Sequence, residues 1–171
     1  MASTAAQRTA LILNAGVGTS GRVADYPMRR FDKTVAVNLR TPFALLQASL
    51  PLLRAAADAD LAAGAKMIAL ASMAGVYAES GLAVYGATKA ALISMVEALN
   101  AEESGNGVSA TAIAPGYVDT DMSWTHDQIT PDTMITVDDI VELVDGLLKI
   151  SSRAVVPKVV MTRAGTNGYS A

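Results

Sequence analysis

Residues 66–89 read KMIALASMAGVYAESGLAVYGATK, and the parsing of this stretch decides the fold. The segment 66–71 is a short, mostly apolar run bounded by small and polar residues, the mark of a buried strand. Beyond it, Ala91, Leu92, Met95 and Leu99 recur at helical spacing, so 82–103 reads as a helix closed by Gly105 and Gly107. A strand therefore runs through a polar turn into a long helix.

The same alternation extends both ways from this unit. Towards the C-terminus, 108–114 reads as a strand halted by Pro115, 137–150 as a helix capped by Thr136, and 155–161 as a last strand. Towards the N-terminus, 9–13 is an apolar run ending at Asn14-Ala15-Gly16, a strand meeting a turn. Residues 28–37 suit a helix with Pro27 at its first position. Thr41-Pro42 reads as a cap and first residue of a second helix, 41–57, which Pro51 is expected to kink or shorten. Strands separated by helices imply an α/β fold, a doubly wound and mostly parallel sheet with helices on both faces. Repeats, low-complexity segments and long linkers are absent from the sequence, so residues 1–171 are expected to form one domain.

Composition removes several classes of function. Formal net charge is −3, with Lys and Arg scattered rather than clustered, which argues against a nucleic-acid surface. Cysteine is absent, so disulfides and thiolate metal sites are excluded. The single histidine, His126, lies among polar residues without a second histidine and is expected to be solvated, and no metal site is expected. No apolar run approaches the roughly 18 residues that span a bilayer. The first eight residues lack the apolar core of a secretory signal, so a soluble, cytoplasmic protein is expected.

On a helix, Tyr85 and Lys89 stand one turn apart on the same face. An unperturbed tyrosine, with a pKa of about 10, is a poor base at neutral pH. A neighbouring ammonium favours the phenolate, and a positive cofactor ring would favour it further. Bringing the value near 7 takes roughly 4 kcal/mol of differential stabilisation. Ser72, at the end of a strand, could hydrogen-bond the same substrate oxygen and orient it. Alone, however, Tyr-x-x-x-Lys is weak evidence, because a surface lysine beside a helical tyrosine is an ordinary pattern.

Further motifs supply the context. Asn14-Ala15-Gly16, Asn38, Ser72, Tyr85-Gly-Ala-Thr-Lys89 and Pro115-Gly116-Tyr-Val118-Asp-Thr120 occur in an order that resembles the short-chain dehydrogenase/reductase family. The resemblance runs from Thr9 to the final strand. It implies an oxidoreductase using NAD or NADP to interconvert an alcohol and a carbonyl. Tyr85 would be the catalytic acid/base, Lys89 would lower its pKa and hold the nicotinamide ribose, and Ser72 would position the substrate oxygen. Asn38 would anchor the water of a proton relay, although the residue is equally well described as a helix-breaking cap. Asn14, Ala15 and Gly16 would border the adenine ribose, and Pro115 and Gly116 the nicotinamide side. Val118 and Thr120 would meet the carboxamide. Leu13 stands where the family often has a second asparagine.

The same resemblance sets the strand 9–13 at the fourth place in the family's sheet, so three strands and their helices are expected to be missing. These would carry the Gly-rich turn that holds the pyrophosphate and the residue that separates NAD from NADP. Gly16-Val-Gly18-Thr-Ser-Gly21 is a literal G-x-G-x-x-G, but the next helix begins only near Pro27 and Arg40 replaces the expected acid, so it reads as a loop. The segment 122–135, with Trp124, Ile129 and Met134, corresponds to the family's substrate loop and suggests an apolar or mixed substrate; a cover for the core's open end is an equal alternative. The two long helices are those related enzymes pack into dimers, and the open sheet edge invites association, so a homo-oligomer is expected. Beside the enzyme reading stand two others: a non-catalytic remnant serving as an oligomerising structural protein, and an inactive fragment.

Overall fold

The computed structural model describes residues 8–123 and 129–169. The expectations for residues 1–7 fall outside that range. Four strands, β1 (Thr9–Leu13), β2 (Ala65–Leu70), β3 (Val108–Pro115) and β4 (Lys158–Met161), form one sheet in the order β1-β2-β3-β4. Every neighbouring pair is parallel, with Leu11 opposite Met67, Met67 opposite Ala110 and Ile113 opposite Val159. Parallel neighbours demand a crossover each, and helices supply them: α1 (Met28–Val35) and α2 (Thr41–Ala59), then α3 (Ala83–Glu103), then α4 (Val137–Lys149).

The pleat divides the core into two layers. Met67, Ala69, Ala110 and Ala112 face α2 and α3, where Leu46, Leu53, Leu92 and Val96 close over them. Ile68 and Ile113 point the other way, onto Leu147 of α4. Burying each of these large side chains contributes about 1.5–3 kcal/mol. The doubly wound arrangement expected from the alternating pattern is therefore present. At one edge, β2 is the only strand beside β1 among the described residues, and Ile12 remains 43% exposed.

Several local expectations need correction. Pro27 caps α1 from outside rather than opening it, with Met28 the first helical residue. The chain does not break before the second helix: α1 runs into a π turn, Ala36–Arg40, and on into α2. Thr41 is consequently helical rather than a cap, and its hydroxyl donates back to the Ala36 carbonyl at 2.9 Å. Pro51 stands inside α2 on its exposed side and the helix continues to Ala59. The last strand shortens to four residues, because Pro157 precedes it and offers the sheet only a carbonyl, which accepts from the Ala112 amide at 3.0 Å. The Thr136 cap holds as expected, in a reciprocal capping box with Asp139. Among the described residues no helix is long and apolar enough to cross a membrane.

Candidate active site

The carboxyl ends of the strands collect the expected residues. In a parallel sheet this end is where successive turns converge. Ser72 stands two residues beyond the end of β2 and caps a 3-10 turn, Met73–Gly75, its Oγ accepting from the Ala74 amide at 3.2 Å. This turn is pressed onto α3. A Cβ on Gly86 would lie 2.5 Å from the Ala74 carbonyl, and one on Gly75 would lie 2.7 Å from the backbone of Lys89. Only glycine at both positions permits that approach, and the approach brings Ser72 to Tyr85.

Tyr85 occupies the first turn of α3, with Lys89 one turn on. The Lys89 ammonium lies 5.8 Å from the centre of the Tyr85 ring and donates to the Leu70 carbonyl at 2.6 Å. Burial dominates the electrostatics of both. It raises the Tyr85 phenol above its ordinary value, against a smaller opposing pull from a hydrogen bond with Ser72. It lowers Lys89 to about 8. In the protein alone the balance for Tyr85 therefore lies upward, with burial the larger cause and the Ser72 hydrogen bond the smaller.

Asn38 sits in the π turn and is 1% exposed. Its amide clasps the backbone of Val17 in both directions, Oδ1 accepting from the Val17 N–H at 2.8 Å and Nδ2 donating to its carbonyl at 3.0 Å. A further bond runs from Nδ2 to Thr88 Oγ1 at 3.3 Å. Both amide hydrogens are committed, so the side chain ties the loop after β1 to α3. Asn38 lies inside a continuous helical stretch and is not a terminal cap.

A cavity of about 840 Å³ unites most of the remaining expectations: Asn14, Ala15 and Gly16 on one side, Ser72, Tyr85 and Lys89 on another, and Pro115, Gly116, Val118 and Thr120 on a third. Its size falls within the range of small-molecule sites. Gly16 forms part of the floor beside the lysine; a Cβ there would stand 3.4 Å from Lys89 Nζ and 3.5 Å from Asn38 Oδ1. Residues 16–21 form a loop, as expected, with Gly21 donating to the Gly81 carbonyl at 2.8 Å. The segment after β3 is pinned by a parallel bridge between Val118 and Ile135.

Met134 and Ile135 are buried, so that part of the expected substrate loop serves as an anchor, whereas Met122 lines the cavity. Trp124 and His126 lie outside the described residues. Among the described residues no cluster of side chains could hold a metal ion. Thr88, Arg30, Glu79 and Asp121 went unrecognised in the sequence. Thr88 lies within the Tyr-x-x-x-Lys motif and could have been noticed there, while the others share no spacing with it.

Comparison with known proteins agrees with this architecture. The pattern described as short chain dehydrogenase matches residues 6–129. An uncharacterized oxidoreductase of Staphylococcus epidermidis is 35% identical over 113 residues, covering 66% of this chain and 46% of the relative. A 3-oxoacyl-[acyl-carrier-protein] reductase of Mycobacterium avium is 31% identical over 118 residues, covering 69% of this chain and 44% of its own length. A short chain dehydrogenase from Burkholderia cenocepacia, solved in complex with NADP, superposes with a TM-score of 0.72 at 22% identity, over 90% of this chain and 63% of its own. The chain thus spans about half the length of the curated relatives it matches. With the strand order, the cavity and these matches together, the chain belongs to the short chain dehydrogenase family.

Proposed function

We propose that these residues form the catalytic part of an NAD(P)-dependent oxidoreductase that interconverts a small alcohol and its carbonyl. The observation that carries the reading is the convergence of Ser72, Tyr85 and Lys89 on one cavity that Asn14, Ala15 and Gly16 also line, with Gly16 beside the lysine. That cavity accommodates the nicotinamide and its ribose, and its donors suit them: an ammonium, hydroxyls and strand-end backbone. When bound, the nicotinamide supplies the hydride chemistry.

The chain's own residues do the rest. Ser72 orients the substrate oxygen, and Tyr85 gives it a proton or takes one away. Lys89 holds the ribose, and its ammonium, together with the positive charge of an oxidised cofactor, draws the phenol down from the raised value that burial imposes. Asn38 positions the loop carrying Gly16 against Lys89. Pro115, Gly116, Val118 and Thr120 close the nicotinamide side.

Titration with NADH and NADPH, followed by ligand fluorescence beside a Tyr85→Phe variant, tests this reading. Saturable binding in both proteins is expected, with turnover reduced about 10²–10⁴-fold in the variant. Absence of binding at high cofactor concentration would sink the proposal for this chain. A homo-oligomer belongs to the same reading, supported by an apolar groove of about 490 Å³ where Leu39 and Phe43 meet Ala91 and Met95.

A further inference from the structure

A second cavity, about 340 Å³, shares Ser72, Tyr85, Gly116, Asp121, Met122 and Ser123 with the larger one but touches none of Asn14, Gly16 or Lys89. The Ser72–Tyr85 pair therefore stands where the two cavities meet. The smaller one lies at the low end of the size range of small-molecule sites. Its occupant is small.

Three charged side chains line this space from three separate parts of the chain. Arg30 comes from α1, Glu79 from the loop before α3, and Asp121 from the segment after β3. Among the described residues none of them joins an ion pair; the pairs there are Arg54–Glu103, Lys149–Asp145 and Lys158–Glu97. The Arg30 guanidinium lies over the Tyr26 ring at 5.5 Å, so one planar face is supported. Its N–H edges remain unclaimed among the described residues, in the geometry that receives a carboxylate. An apolar substrate would leave all three charges without a partner in the cavity. A simple carboxylate would satisfy Arg30 but face two acids, and a simple amine would do the reverse.

We infer that the smaller cavity takes a zwitterionic alcohol, a β-hydroxy-α-amino acid, with its carboxylate on Arg30 and its ammonium on Glu79 and Asp121. Its carbinol then rests on Ser72 and Tyr85. The chemistry rests on the oxidoreductase reading above; the recognition does not. In that reaction the carbinol C–H bond breaks, its hydride passes to the nicotinamide ring, the hydroxyl proton passes to the Tyr85 phenolate, and an α-amino-β-keto acid forms.

Four probes that share the CH3–CH(OH)– unit separate the charges: threonine, 3-hydroxybutyrate, 1-aminopropan-2-ol and butan-2-ol. Their binding to the whole chain is measured by NMR titration, without reference to turnover. Threonine is expected to bind about fivefold to tenfold tighter than each of the others, with the preference weakening at high salt. Arg30→Leu and Glu79→Gln should each erase that preference, and Arg30→Lys should restore part of it. Arg30 and Glu79 are both exposed, so circular dichroism should report a native fold in every variant. Equal binding of the four, tighter binding of any other probe, or no binding at all would overturn the inference. Selective threonine binding without NAD(P)+ reduction would uphold it and defeat the oxidoreductase reading. Tyr85-dependent oxidation of butan-2-ol in preference to threonine would do the opposite.

Discussion

The amide of Asn38 and the hydroxyl of Thr88 are joined by a hydrogen bond of 3.3 Å in a region where both residues are almost wholly buried. Thr88 in turn donates to the Tyr85 carbonyl at 2.8 Å, so the π turn, the loop at Val17 and the first turn of α3 are coupled through two side chains. The four-residue interval between Tyr85 and Lys89 thus contains its own fastener.

Removing that fastener should cost stability and precision together. Thr88→Val keeps the shape but leaves an Asn38 N–H without its partner, a loss of about 1–3 kcal/mol. Asn38→Ala should cost more, because it also strands the N–H and carbonyl of Val17. Urea denaturation measures both. Equal stability of Thr88→Val and the parent would show that the bond contributes nothing.

The contact between the Ser72 turn and α3 predicts an unusual response at Gly86. Replacing a mid-helix glycine by alanine ordinarily stabilises by roughly 0.5–1 kcal/mol. Here the added Cβ would meet the Ala74 carbonyl at 2.5 Å, so Gly86→Ala should destabilise and drive Ser72 away from Tyr85. A raised denaturation midpoint for Gly86→Ala would contradict the close packing.

Lys89 makes stability depend on alkaline pH. Its folded value of about 8 lies below the ordinary 10.5, so the unfolded chain holds the proton more firmly. Stability should therefore rise as pH increases from about 8 towards 10, by at most about 3 kcal/mol. Burial lowers Lys66 as well, which acts in the same direction, whereas the raised phenols of Tyr85 and Tyr117 oppose the trend only above about pH 10. Lys89→Met should flatten the rise and be the more stable protein at pH 7.5, while losing cofactor affinity. An unchanged slope in that variant would assign the effect elsewhere.

The groove between α2 and α3 bears on self-association. Phe43 of α2 is 52% exposed and lines it together with Ala91 and Met95 of α3. Sedimentation velocity should find a dimer or larger species, and Phe43→Glu should shift it towards monomer with the helical spectrum intact. A parent chain that stays monomeric at high concentration would refute this.

The long helices and buried strands were legible because their apolar periods are intrinsic to the local sequence. The boundaries near Pro27, Thr41 and Pro51 were not. Proline and threonine there carry the local signals of starts and breaks, but packing of Leu46 and Leu53 on the sheet keeps the helix continuous through Thr41 and Pro51, while Pro27 stays just outside α1. Likewise the charged lining of the smaller cavity is spread over Arg30, Glu79 and Asp121, which no local spacing connects.

The sequence by itself determined the alternation of strand and helix, and the residue types that meet at the strand ends. Hydrophobic period and motif order encode these within short windows. Tertiary structure alone decided the state of those residues. Burial raises Tyr85 instead of lowering it, the Leu70 carbonyl claims the Lys89 ammonium, and the Asn38 amide is consumed by Val17 and Thr88. Desolvation and hydrogen-bond partners come from segments far apart in the chain, so they exist only once the sheet has brought those segments together.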